Sequence, residues 1–250
     1  SLAVGLIIGI PYQEYPMNQQ PIEKRISRDD GILSVHSIFH TIQGEGPFCG
    51  TPAVFIRLAG CNLQCPACDT DYTSSRWDSG PLAILDYVRE QSAYGLVVIT
   101  GGEPFRQDLA KLLNVLTDAG YYVQIETNGT LEPADVPYSL VTDIRTGVYV
   151  VCSPKAGKVH PRIAEVACCY KYVLSQDSIH ADGLPLRALE HTASPFVARP
   201  PKNWHRPIYV QPVDSKDETT NGQHLKAAIN SCMKNGYILQ LQIHKLIDME

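Results

Sequence analysis

The chain has no apolar run long enough to cross a bilayer, which argues against a membrane-integral protein. Basic residues are scarce: 21 Lys and Arg face 26 Asp and Glu, for a net charge of −5. That balance argues against a broad phosphate-binding face, so nucleic acid is not expected as a direct partner. Eight cysteines in 250 residues are too few for a disulfide scaffold, and their clustering points to a reducing compartment, read as the cytoplasm, and to a metal site. The apolar opening LAVGLIIGI lacks the basic flank and small-residue cleavage site of a secretory signal. A start at Ser1 rather than Met suggests processing. Residues 1–30 are therefore read as an extension, disordered or foreign to the fold, and residues 31–250 as one domain. Internal repeats and low-complexity tracts are also missing.

From about residue 53, short β-branched or apolar runs alternate with helical patterns: AVFIRL, LVVITGG, YYVQIET, VYVVCS, YKYVLS, PIYVQP and YILQLQIH. Such alternation predicts an α/β fold with a mostly parallel sheet and crossover helices, either open or closed into a partial barrel. In QDLAKLLNVLTDAG, Leu109, Leu112, Leu113 and Leu116 form one helical stripe; in NGQHLKAAINSCMKNG, Leu225, Ala228, Ile229 and Cys232 do the same. The segment from about 175 to 206, rich in His, Pro, Ser and Arg, has no clean period and reads as an irregular insertion. Ligands of such sheets collect at the C-terminal ends of the strands.

The chemistry-bearing motif is CNLQCPACDT, with Cys61, Cys65 and Cys68 in a Cys-x3-Cys-x2-Cys spacing. A structural zinc site wants four ligands, usually from two paired modules, and no second Cys-x-x-Cys exists; His36, His40 or another cysteine could complete a tetrahedron. An iron–sulfur cube held by three cysteines instead leaves one iron open to a ligand. A second motif, VITGGEPF, places two glycines at a strand end, where backbone can approach a ligand closely.

The stretch FIRLAGCNLQCPACDT resembles the cluster loop of the radical S-adenosylmethionine (SAM) superfamily, although Ala67 stands where that superfamily commonly has an aromatic residue. FHTIQGEGPFCGTPAVFIRLAGCNLQCPACDTDYT, with VITGGEP, ETNGT, CSPK, QPVD and LQIHKLIDME, is similar to the 7-carboxy-7-deazaguanine synthase family from about residue 35 to the end. The resemblance implies a partial (β/α) barrel of the radical SAM type. It also implies ring contraction of 6-carboxy-5,6,7,8-tetrahydropterin: a deoxyadenosyl radical removes hydrogen from C6 and ammonia is lost. Cys61, Cys65 and Cys68 would hold a [4Fe–4S] cluster, with SAM at the open iron. The pterin would meet Ile42, Gln43, Gly44, Glu45, Arg57, Thr100, His244 and the main-chain carboxylate of Glu250. SAM contacts would come from Gly102, Glu103, Ser153, Pro154, Lys155, Gln211, Pro212, Val213 and Asp214, and Mg²⁺ from Asp69 and Thr70. A flavodoxin or ferredoxin donor and a homodimer are implied in the same way. Two other readings are kept: a glycyl-radical activating enzyme using the same cluster, and a non-enzymatic zinc-binding module.

Overall fold

The computed structural model describes residues 17–92, 94–142, 145–189 and 196–249. Nine strands form one sheet: β1 (Leu33–Ile42), β2 (Pro52–Leu58), β3 (Trp77–Ser79), β4 (Leu96–Gly101), β5 (Tyr122–Thr127), β6 (Val148–Cys152), β7 (Ala167–Leu174), β8 (Ile208–Pro212) and β9 (Ile238–Leu239). Their spatial order is β3-β1-β2-β4-β5-β6-β7-β8-β9, and every neighbouring pair from β2 to β9 is parallel. Seven of these strands fall on the runs expected from sequence. β1 does not: its register is interrupted between Val35 and Ser37, and it pairs antiparallel with both β2 and β3.

Crossover helices α1 (Pro81–Gln91), α2 (Ala110–Asp118), α3 (Pro161–Val166) and α4 (Glu218–Asn235) precede β4, β5, β7 and β9, and the chain ends in a short helix, α5 (Ile243–Leu246). Alternate strand residues face opposite sides of a sheet. Ile56, Leu58, Ile99, Val123, Ile125 and Val150 pack outward against helix residues such as Ile84, Val88, Leu112 and Leu116. Burying such side chains stabilises the fold by roughly 1.5–3 kcal/mol each. The opposite, inner face carries a smaller apolar cluster of Phe48, Val98, Tyr122, Tyr149, Val151 and Cys169, with Phe48 edge-on to both tyrosines.

The stripe expected in α2 is the one buried, whereas α4 is rotated from expectation. His224, Ala228, Ser231 and Cys232 face inward, and Ile229 is exposed. The insertion packed beside it exchanges hydrogen bonds with the polar residues of that face. Gln176 N–H donates to His224 Nδ1 (3.1 Å), and Ser231 Oγ donates to the Gly183 carbonyl (2.5 Å). Residues 17–30, set aside as an extension, lie against the cysteine loop, with Ile22 bridged in parallel to Cys61. No helix among the described residues is long and apolar enough to cross a membrane.

Candidate active site

β2 runs through Ala59 and Gly60 into the three-cysteine loop. Cys61 and Cys65 are buried and Cys68 is half-buried. The glycine pair after β4 grips the start of this loop: Gly102 N–H donates to the Leu58 carbonyl (3.3 Å) and Glu103 N–H to the Gly60 carbonyl (3.1 Å). A Cβ at Gly102 would lie 2.1 Å from the Gly60 oxygen and 2.8 Å from Cys61 Cβ, and one at Gly101 2.1 Å from the Leu58 oxygen. Any side chain at either position would push the cysteine loop off the sheet. The Glu103 carboxylate is fully buried and accepts hydrogen bonds from Thr127 Oγ1 (2.7 Å), Asn128 N–H (2.8 Å) and Phe105 N–H (3.0 Å). Burial nonetheless pushes it up to about 6. Its role here is to fix the ETNGT turn. Asn128 Nδ2 then donates to Asn62 Oδ1 (2.9 Å), and Asn62 Nδ2 donates to Thr130 Oγ1 (2.8 Å), clamping the loop from a second strand end. Arg106, 1% exposed, donates to the Ala59 carbonyl (2.8 Å) and pairs with Glu23 (3.2 Å).

The donor set distinguishes among metal groups. Burial pushes the thiols up, Cys61 to about 12 and Cys65 to about 11, with the neighbouring thiols adding to it. The thiolate form therefore needs a metal to hold it. Among the described residues no three His, Cys, Asp or Glu side chains converge as a single metal ion requires. Three thiols in one sheltered loop are one ligand short of a closed zinc site and match a cubane that leaves one iron open. The expected Mg²⁺ site fits less well: Asp69 Oδ2 is paired with Lys245 Nζ (3.0 Å), which leaves Thr70 as the protein oxygen ligand.

Beneath the cysteine loop the inner face turns polar. Arg57 and Thr100 stand in register on β2 and β4, and Glu126, Lys171 and Gln211 follow on β5, β7 and β8. The Arg57 guanidinium lies over the Phe39 ring, 5.1 Å from its centroid, and Phe39 stacks on Phe55. Lys171 Nζ donates to Glu126 Oε2 (2.7 Å) and to Glu45 Oε2. Glu45 Oε1 accepts from Gln242 Nε2 (2.6 Å) and Gln211 Nε2 (3.1 Å). Burial opposes ionisation of Glu45, but the Lys171 ammonium and these hydrogen bonds outweigh it and hold the carboxyl at about 2. Burial likewise opposes the Lys171 charge, and its two carboxylates overcome that, raising the ammonium above its usual range.

Glu45 reaches this layer from an unexpected direction. Because β1 runs antiparallel to β2, the loop after Ile42 leaves at the N-terminal edge of the parallel strands, not at the C-terminal edge as expected. The tail sews it in place. Gln240 exchanges two hydrogen bonds with the Gly46 backbone (2.6 and 2.9 Å), and Ile243 N–H donates to the Gly44 carbonyl (3.3 Å). The His244 ring lies so close that a Cβ on Gly44 would fall 1.9 Å from its Nδ1, and burial lowers the His244 pKa. Gln43 is buried, and its Oε1 accepts from Glu45 N–H (3.0 Å).

The remaining expected residues divide. Ser153 takes Lys155 Nζ on its Oγ (2.6 Å), and burial lowers the Lys155 pKa. Gln211, expected beside SAM, instead turns inward to Glu45. Pro212 closes β8, and Val213 N–H donates to the Leu174 carbonyl (3.0 Å). Asp214 is occupied by Lys216, by Asn221 Nδ2 (3.0 Å) and by Lys245 (3.7 Å). Glu250 lies outside the described residues. Lys171 and Glu126 were missed, although each is a charge set between buried strand neighbours in YKYVLS and YYVQIET, a pattern that signals an inward polar site.

No family model matches the chain. It is 38% identical over 229 residues to a 7-carboxy-7-deazaguanine synthase of Rhodospirillum rubrum, covering 88% of this chain and 93% of that one. A protein of the same name from Rickettsia prowazekii is 35% identical, covering 92% and 94%. The crystal structure of QueE from Escherichia coli superposes with a TM-score of 0.62 at 25% identity, over 84% of this chain and 93% of that one.

Proposed function

The chain belongs to the 7-carboxy-7-deazaguanine synthase family, and we propose that its buried polar layer holds 6-carboxy-5,6,7,8-tetrahydropterin for contraction to 7-carboxy-7-deazaguanine with loss of ammonia. One observation carries the reading. Three neighbouring strands, β2, β4 and β5, each bear an inward polar residue and, just past the strand end, a residue that contacts the cysteine loop or a group holding it. Arg57 is followed by Ala59, Thr100 by Gly102, and Glu126 by Asn128. The proposed substrate layer and cofactor layer thus follow one another along the same three strands.

Cys61, Cys65 and Cys68 would hold a [4Fe–4S] cluster and Gly102 and Ser153 would contact SAM, and the two together would supply the hydrogen-abstracting power. The chain's own groups do the rest. Arg57 offers a planar fork to the pterin carboxylate. Glu45, kept ionised and immobile by Lys171, Gln211 and Gln242, and Glu126, held in place by Lys171, present fixed acceptors to the N–H groups of the heterocycle. His244, whose protonated form burial disfavours, contributes a neutral imidazole at the mouth formed by the tail. Phe48, Tyr122 and Tyr149 close the floor against water. A tail bonded across the substrate side favours a small substrate over the protein surface that a glycyl-radical activating enzyme must admit.

A homodimer is supported by the exposed apolar residues of the last strand, Ile238 and Leu239, and of the tail after it, Leu246 and Ile247. A small flavodoxin or ferredoxin is the expected reductant. The test is anaerobic incubation of the reconstituted chain with SAM, dithionite, Mg²⁺ and the pterin, with products read by mass spectrometry. Pterin-dependent 7-carboxy-7-deazaguanine is the expected result. Deoxyadenosine without that product would refute the substrate assignment, and neither product would refute the cluster assignment.

A further inference from the structure

We infer that residues Asn18–Glu23 form a collar that completes the three-cysteine loop and keeps its cluster in place, with Gln20 as the positioning residue. The inference rests on the cluster reading above. The loop from Cys61 to Thr73 contains no helix or strand of its own, so its backbone groups need partners from elsewhere. Four of its carbonyls find them in this short segment. Glu23 N–H donates to Cys61 O (2.7 Å), Asn18 Nδ2 to Cys65 O (3.2 Å), Asn18 N–H to Pro66 O (2.9 Å) and Gln20 Nε2 to Thr70 O (2.8 Å). These carbonyls bracket all three cysteines.

Gln20 does the most. Its Oε1 accepts from Tyr72 N–H (2.8 Å) and Thr73 Oγ1 (3.0 Å) while its Nε2 holds Thr70, and its own carbonyl accepts from Gln64 Nε2 (2.7 Å). One side chain thus fixes both ends of the turn by which the chain leaves Cys68. Asn18 Nδ2 also reaches the hydroxyl of Tyr72, which is 1% exposed (3.3 Å). The collar is itself anchored, because Glu23 pairs with buried Arg106 (3.2 Å) and Arg106 donates to the Lys24 carbonyl (2.8 Å). A loop held only by its metal loses its geometry as the metal leaves; one held by a collar keeps its thiols spaced for retention and reloading.

The test compares the full chain with its Gln20→Ala and Gln20→Glu variants, each reconstituted anaerobically. Three quantities are read: iron per chain, the rate at which the cluster's visible absorbance bleaches in air, and amide exchange at Tyr72 in the cluster-free protein. Gln20→Ala is expected to bleach on the order of tenfold faster, the scale of one or two net hydrogen bonds, and to exchange Tyr72 N–H faster. Gln20→Glu keeps the acceptor for Tyr72 and Thr73 but loses the donor to Thr70, so it should fall between the two. Should Gln20→Ala fail to fold, Asn18→Ala is judged by the same bleaching rate. Bleaching and Tyr72 exchange at the wild-type rate would overturn the collar, as would a drop in cluster-free melting temperature with bleaching unchanged. If the wild-type chain takes up no iron, the cluster reading is what fails, and Tyr72 exchange still decides whether Gln20 positions the loop.

Discussion

Replacing Lys171 with Met removes the one ammonium shared by Glu45 and Glu126 and leaves a side chain of similar length. The Lys171 side chain is 6% exposed and those of its partners 17% and 13%, so water cannot take over its role. Glu45 is held at about 2 against an ordinary 4.5. That depression stabilises the folded protein. Because the folded value is depressed, this stabilisation is present above pH 4.5 and is lost as the pH falls toward 2. In Lys171→Met, two buried carboxylates face each other without a counterion, and the folded value of one rises above its unfolded value. The cost, about 3–5 kcal/mol for a broken buried pair, then falls in full at pH 8 and shrinks near pH 5 as the pair takes up a proton. Urea unfolding of cluster-free protein at pH 8 and pH 5 measures both. A loss under about 1 kcal/mol at pH 8, or an equal loss at both pH values, would refute the reasoning.

Gly44→Ala forces the His244 ring and its backbone N–H away, and kcat/KM for the pterin should fall by up to about a hundredfold; unchanged steady-state kinetics would show that the tail does not set the site. Arg57→Ala should raise the pterin KM roughly 10- to 100-fold while SAM cleavage persists, and a normal KM would remove Arg57 from the substrate. Glu103, pushed up to about 6 by burial, carries stability that is present below pH 4.5 and lost as the pH rises through about 6. Glu103→Gln abolishes that titration, so the slope of melting temperature against pH between 5 and 8 should flatten; identical slopes for both proteins would contradict it.

The parallel core was legible because its strands are runs of Val, Ile and Tyr bounded by glycine and polar residues. β1 was not: LSVHSIFHTI mixes histidine and serine into the apolar positions, and its bulge at His36 breaks the period. Only with β1 in place is it clear that the IQGEG loop leaves at the N-terminal edge of the parallel strands. The three cysteines and the glycine pair stand out in the sequence by their spacing, and the structure packs Gly102 against Cys61. Lys171 was not, because its partner Glu45 lies 126 residues away and only the fold brings them together. The collar was least visible of all. Asn18 and Gln20 meet backbone groups of Cys65, Pro66, Thr70 and Tyr72, which any residue would offer, so the loop's sequence gives little sign of them.

At three strand ends the polar layer and the cysteine loop are joined by a few residues of backbone: Arg57 on β2, Thr100 on β4 and Glu126 on β5 are followed, just past the strand, by Ala59, Gly102 and Asn128 in turn. Under the proposed reading, side chains at 57, 100 and 126 could change to suit another heterocycle without moving the loop. A single residue inserted after any of these positions would instead shift a loop contact out of place.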